Sequence, residues 1–89
     1  PCNNSTANII EINNQVEQYP NPAKNFVYYK SSNIIKEIVI YNKIGQVNSR
    51  FNVNDNLYEI SLSKFRKGIY YVFIRLDNST IVTKKLLVL

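Results

Sequence analysis

Short apolar segments with a period of two recur along this 89-residue chain, and turn residues end each of them. Successive side chains of a β-strand point to opposite faces, so a period of two assigns alternate residues to a core face. Val, Ile, Tyr and Phe are abundant, and the chain has only two glycines. These residue types favour a pleated, half-buried sheet over helices. The chain is therefore expected to be all-β, with no helix.

The same alternation identifies the candidate core residues. We expect Leu62 and Phe65 to point inward from a tight crossover between two strands. The remaining inward positions come from three strongly apolar segments: Ile38, Ile40, Tyr58, Ile60, Tyr70, Val72 and Ile74.

Turn residues separate the apolar segments. Residues 42–45 predict a hairpin turn that Asn42 opens and in which Gly45 adopts a positive φ. In the crossover at 62–68, Gly68 gives the backbone the freedom to turn. Two Asn-containing turns are expected at 54–56 and 77–79, and a loop at 31–33.

The spacing of strands and turns predicts the fold class. About six to seven short strands, with turns every 8–12 residues or so, are typical of an immunoglobulin-like antiparallel β-sandwich, and a small barrel is the alternative. Residues 1–15 are polar and Asn-rich and are expected to form a linker, so the β-domain is assigned to 16–89. The predicted strands are 16–19, 25–30, 34–41, 46–53, 57–62, 69–76 and 81–89.

Two prolines, Pro20 and Pro22, lie one residue apart in the segment Tyr19-Pro20-Asn21-Pro22-Ala23. Proline fixes φ and has no backbone N–H, so this segment cannot lie inside a central strand. It predicts a stiff, extended corner at the entrance of the β-domain.

Residues suited to catalysis or metal binding are scarce. The chain has no histidine, one cysteine (Cys2) and six carboxylates, none of which are spaced as an acid–base pair. Nucleophilic triads and most zinc sites need histidine, and a single cysteine forms no internal disulfide. We therefore expect no enzymatic activity, no metal and no cofactor.

The formal net charge is +5. Its cations are spread singly, apart from the pairs Arg66-Lys67 and Lys84-Lys85. Nucleic-acid binding would require basic residues clustered among aromatic ones, so the chain is not expected to bind nucleic acid. Lys84 and Lys85 lie on opposite faces of the last predicted strand, where at least one must be exposed.

Four motifs occur in a characteristic order. They are a Tyr-Pro-Asn-Pro-Ala corner at 19–23, an Ile-Val-Ile-Tyr-Asn-Lys-Ile-Gly hairpin at 38–45, a Phe-Arg-Lys-Gly-Ile-Tyr element at 65–70 and a Lys-Lys-Leu-Leu-Val ending at 84–88. This order resembles the type A C-terminal sorting domains of proteins that Bacteroidetes export by the type IX secretion system. Many members of that family finish with a basic residue, whereas this chain finishes Leu87-Val88-Leu89.

The resemblance implies a secretion signal at the end of a longer protein. The module would direct an upstream passenger through the periplasm and the type IX translocon to the cell surface or medium. A sortase-like signal peptidase would then remove it, with the cut in or near residues 1–18. The resemblance makes these residues candidates for recognition: Tyr19, Pro20, Asn21, Pro22, Ala23, Gly45, Gly68, Tyr70, Lys84, Lys85 and Leu89.

Two further hypotheses follow from the residues themselves. A β-sandwich adhesion or carbohydrate-binding module would use exposed tyrosines to stack on sugar rings. Unpaired edge strands would also permit a weak homodimer. The candidate stacking residues are Tyr28, Tyr29, Tyr41, Tyr58 and Tyr71.

Overall fold

The computed structural model describes residues 15–89, and its secondary structure there is entirely β. The strands are β1 (Val16–Tyr19), β2 (Phe26–Asn42), β3 (Val47–Ser61), β4 (Gly68–Leu76) and β5 (Ile81–Val88). The all-β prediction is confirmed. Within 15–89 there is no helix long and apolar enough to cross a membrane. Cys2 and most of the predicted linker lie outside the described residues.

The two long strands bend, which curls one antiparallel sheet into the two layers of a small β-sandwich. The first part of β2, residues 26–30, lies between β1 and the end of β3. Its last part, residues 35–42, lies between the start of β3 and β4, and β5 follows β4. Both layers therefore share β2 and β3.

The structure has five strands within 15–89, fewer than the six to seven short strands that were predicted. The expected loop at 31–33 lies inside β2, and the expected turn at 54–56 lies inside β3. Ser31 Oγ accepts a hydrogen bond from the Asn33 backbone N at 3.1 Å, and Asn56 Nδ2 donates to the Ser31 backbone O at 3.1 Å. These bonds, with the positive φ of 57° at Asn54, bend the strands without ending them.

The core lies between the two layers, on the faces that the alternation predicts. Ile38, Ile40, Val72 and Ile74 have no accessible surface. Leu62 is buried, and Phe65 packs against the core, as predicted. The other apolar residues of this core are Val16, Ala23, Val27, Tyr29, Ile35, Ile60, Tyr70, Leu76, Val82, Leu86 and Val88. Val39 is also buried, but it lies opposite Arg50 and Phe73 on the outer face.

The hairpin between β2 and β3 has the predicted geometry. Gly45 has a φ of +91°, and its backbone N donates to the Asn42 backbone O at 3.0 Å. Asn42 Oδ1 accepts the backbone N–H groups of Ile44 at 3.1 Å and Gln46 at 3.0 Å. Asn42 therefore opens the turn, and Gly45 adopts a backbone conformation that other residues rarely take.

Candidate functional site

The proline corner lies along the outer edge of the last strand. The Ala23 backbone N donates to the Leu87 backbone O at 2.8 Å, and the Leu89 backbone N donates to the Ala23 backbone O at 2.8 Å. These bonds form a parallel bridge between Ala23 and Val88. Ala23 has no accessible surface. We call residues 18–23 the strap, because they cover this edge of β5.

Within the strap, the Asn21 side chain takes the place of a strand peptide. Its Nδ2 donates to the Lys85 backbone O at 3.2 Å, and its Oδ1 accepts from the Leu87 backbone N at 3.2 Å. Pro20 and Pro22 have no N–H to offer β5, so a side-chain amide supplies the donor instead. Both prolines follow cis peptide bonds. The edge of β5 from Lys85 to Leu89 is thereby hydrogen-bonded on its outer side.

Gln18 joins the strap to the core. Its Nε2 donates to the Lys85 backbone O at 2.9 Å, and its Oε1 accepts from Tyr29 Oη at 2.8 Å. The Tyr29 ring is fully buried, and this burial raises the pKa of the Tyr29 phenol well above its usual range. Next to it, the rings of Tyr19 and Tyr28 stack with centroids 5.4 Å apart.

The raised pKa of Tyr29 predicts a loss of stability in alkali. Above about pH 10 the unfolded state releases the phenol proton while the folded state retains it, so the free energy of unfolding should fall by up to about 1.4 kcal/mol per pH unit. Below that pH the contribution is fully present. Urea unfolding between about pH 9 and 11.5 measures the slope.

Tyr29→Phe should flatten this slope, whereas Tyr71→Phe, at an exposed position, should leave it unchanged. A wild-type slope that does not exceed that of Tyr29→Phe would contradict the prediction.

The structure brings together only some of the predicted recognition residues. Tyr19, Pro20, Asn21, Pro22 and Ala23 lie in or beside the strap, next to Lys85 and Leu89. Gln18 and Tyr29, which hold the strap, were not among the predicted recognition residues. The alternation places Tyr29 on the opposite face of its strand from Tyr28, but no sequence signal identifies Gln18.

Gly45, Gly68 and Tyr70 lie away from the strap. Tyr70 is buried, its Oη donates to the Arg66 backbone O at 2.7 Å, and its ring packs edge-on against Phe65 at 5.3 Å. Gly68 has a φ of +145° at the start of β4. These residues shape the turns and the core.

Lys84 and Lys85 point to opposite faces of β5, as predicted. Lys85 is exposed, and its side chain lies on the outer face. Lys84 is half-buried at the margin of the core face, where partial burial lowers the pKa of its ammonium group. The two lysines therefore lie in different environments, and only Lys85 is freely accessible from solvent.

The candidate tyrosines do not form one platform. Tyr29 is buried, which corrects its assignment as a stacking residue, and Tyr58 packs inward against Phe51. Tyr28 belongs to the outer face of the other layer from Tyr41 and Tyr71. Residues 15–89 also contain no group of three or more His, Cys, Asp or Glu side chains suited to a metal ion.

A comparison with known protein families identifies the family of the chain. Residues 17–89, which include the strap and all five strands but for Val16, match the family of secretion system C-terminal sorting domains. Because the match covers most of the chain, the protein belongs to this family. It is a secretion signal domain of the type IX system, and the family implies export to the cell surface or the extracellular space.

A curated relative of the chain is β-agarase A of Zobellia galactanivorans. The two are 37% identical over 68 residues, which cover 74% of this chain and 13% of the agarase. The chain therefore corresponds to a small part of that relative.

Proposed function

We propose that the secretion apparatus recognises the strap together with the end of β5 as one composite edge. The observation that supports this is the hydrogen bonding of Asn21 and Ala23 to Lys85, Leu87 and Leu89. The first and last motifs of the sorting family thus form a single surface. Lys84 and the side chain of Lys85 lie at one end of it, and Leu89 lies at the other. Gly45, Gly68 and Tyr70 act indirectly, because they shape the turns and the core that hold this surface in place.

We also propose a separate role for each segment of the whole protein. An upstream passenger carries the activity, residues 1–15 connect it to the module at 16–89, and the module performs no catalysis. A sortase-like peptidase cuts in or near residues 1–18, as the resemblance to the sorting family implies. The family membership and the absence of histidine from the sequence support this division.

The long edge of β3 supports a second, weak partner, a copy of the same chain. Among residues 15–89, β3 pairs only with β2. The outer backbone groups of an edge strand can pair with an equivalent strand of another molecule. We propose that the weak homodimer uses this edge, since the strap covers the end of β5.

A reporter fusion tests the sorting function. A reporter with an inner-membrane signal and residues 1–89 at its C-terminus should reach the surface or medium of a host that has a type IX system. Lys84→Gln together with Lys85→Gln should reduce export, because both charges at the composite edge are lost while the backbone pairing of β5 remains. Fractionation and immunoblotting measure the periplasmic and external reporter.

Lys30→Gln with Lys64→Gln, at two exposed positions outside the strap and β5, is the matched control and should be exported normally. If the complete fusion folds but stays in the periplasm of a competent host, the proposed sorting function is wrong. The hypothesis of an adhesion module then takes its place.

A further inference from the structure

The outer face of the β2–β4–β5 layer carries three aromatic side chains. Tyr41, Tyr71 and Phe73 project from it, and the rings of Tyr41 and Phe73 meet edge-on with centroids 5.1 Å apart. Tyr71 and Phe73 remain 39% and 40% exposed. Outward faces of antiparallel sheets usually carry polar side chains. We call these three residues, with Lys43, the outer aromatic face.

The outer aromatic face surrounds a shallow groove of about 360 Å³ that also contacts Thr83 and Gly45. Adjacent apolar side chains extend it, because Ile69 and Leu87 lie opposite each other in the β4–β5 register. Contiguous exposed apolar surface of this kind is typical of interaction sites.

The charges around the groove are mainly positive. Lys43 lines the groove, and Lys85 lies opposite Tyr71 in the β4–β5 register. Glu37, which lies opposite Arg75 in the same layer, is bridged by Arg50 at 3.0 Å and by Arg75 at 3.7 Å. The surface therefore presents an apolar centre with a basic rim.

We propose that the outer aromatic face binds a protein surface of the secretion apparatus that has an apolar centre and a rim of Asp and Glu. This inference rests on the proposed sorting function and adds a second contact surface to the composite edge. Interfaces are enriched in Tyr and Phe, and complementary charge selects the partner. A second copy of the chain would bring its own basic rim and repel the first. The edge-on Tyr41–Phe73 pair offers no flat platform for a sugar ring.

The test uses the same reporter fusion with residues 1–89 intact apart from two substitutions. Tyr71→Ser with Phe73→Ser should lower export about tenfold or more, as expected when two interface anchors are lost. Leu57→Ser with Ile81→Ser is the matched control, since these residues are 50% and 56% exposed and lie outside both the groove and the strap. The control should be exported within about twofold of the wild type. Thermal unfolding of each purified full chain establishes that it is folded.

The basic rim has its own test. Lys43→Glu should lower export, whereas Lys43→Arg, which keeps the positive charge, should be exported like the wild type. Lys64→Glu, which reverses a charge in the 62–68 crossover, should have little effect on export. Normal export of Lys43→Glu would overturn the inference that the partner surface is acidic.

Two further outcomes would overturn the proposal as a whole. One is normal export of the folded Tyr71/Phe73 variant from a host that exports the wild type, which leaves the sorting function intact. The other is that the purified wild-type chain forms a homodimer, measured by light scattering, or binds agarose, measured by affinity electrophoresis, and that the Tyr71/Phe73 variant loses this property while the control variant keeps it.

Discussion

An Ala23→Asp variant is expected to destabilise the domain by several kcal/mol and to abolish export of a fused reporter. Ala23 has no accessible surface, and both its backbone N and O pair with β5. An aspartate there would place an unpaired carboxylate against the core, which is among the most costly single substitutions. The same change would detach the strap from β5 and so destroy the composite edge. Urea unfolding measures the first effect, and reporter fractionation measures the second.

Asn25→Asp is the control for this prediction, because it adds the same charge two residues further on at an exposed position. It should change the free energy of unfolding by no more than about 0.5 kcal/mol and leave export intact. A stable, exported Ala23→Asp variant would show that the strap leaves β5 readily and is not part of the recognised surface.

An Ile40→Ala variant is expected to lower the free energy of unfolding by about 2–4 kcal/mol. Ile40 lies near the end of β2, paired with Ser49 on one side and with Val72 on the other, and it is fully buried. Removing its outer carbons leaves a cavity that two packed layers cannot readily close. Chemical denaturation of the purified chain measures the change.

Lys43→Ala, three residues further along the hairpin and exposed, should cost less than about 0.5 kcal/mol. An Ile40→Ala cost as small as this would mean that the core around Ile40 is loosely packed. For a domain of this size, a loss of 2–4 kcal/mol is a large part of a typical total stability of about 5–15 kcal/mol.

The strap gives β5, a strand at the edge of the sheet, hydrogen-bonding partners on its second side. A last strand has one neighbour, here β4, and its other edge would present unpaired backbone groups. The strap covers the Lys85–Leu89 part of that edge with backbone and side-chain hydrogen bonds. The sorting motif at 19–23 and the chain end therefore depend on each other for their shape.

The inward and outward faces of the strands were predictable because alternation is a local property. Ile38, Ile40, Val72 and Ile74 are buried where a period of two places them, and Gly45 turns where its flexibility is needed. The continuity of β2 through Ser31 was not predictable. Serine and asparagine are typical of turns, and only the pairing of Asn56 with Ser31 shows that the chain bends there and continues as a strand.

By itself, the sequence determined the β-class, the faces of the strands, the hairpin at 42–45 and the family to which the motifs belong. Only the tertiary structure decided that Asn21 pairs with Lys85 and Leu87, which are 64 and 66 positions away along the chain. The physical reason is that strand period and turn chemistry act between near neighbours, whereas the partner of an edge depends on how the layers close. The same closure decided that Tyr29 is buried while its neighbour Tyr28 lies on the outer face.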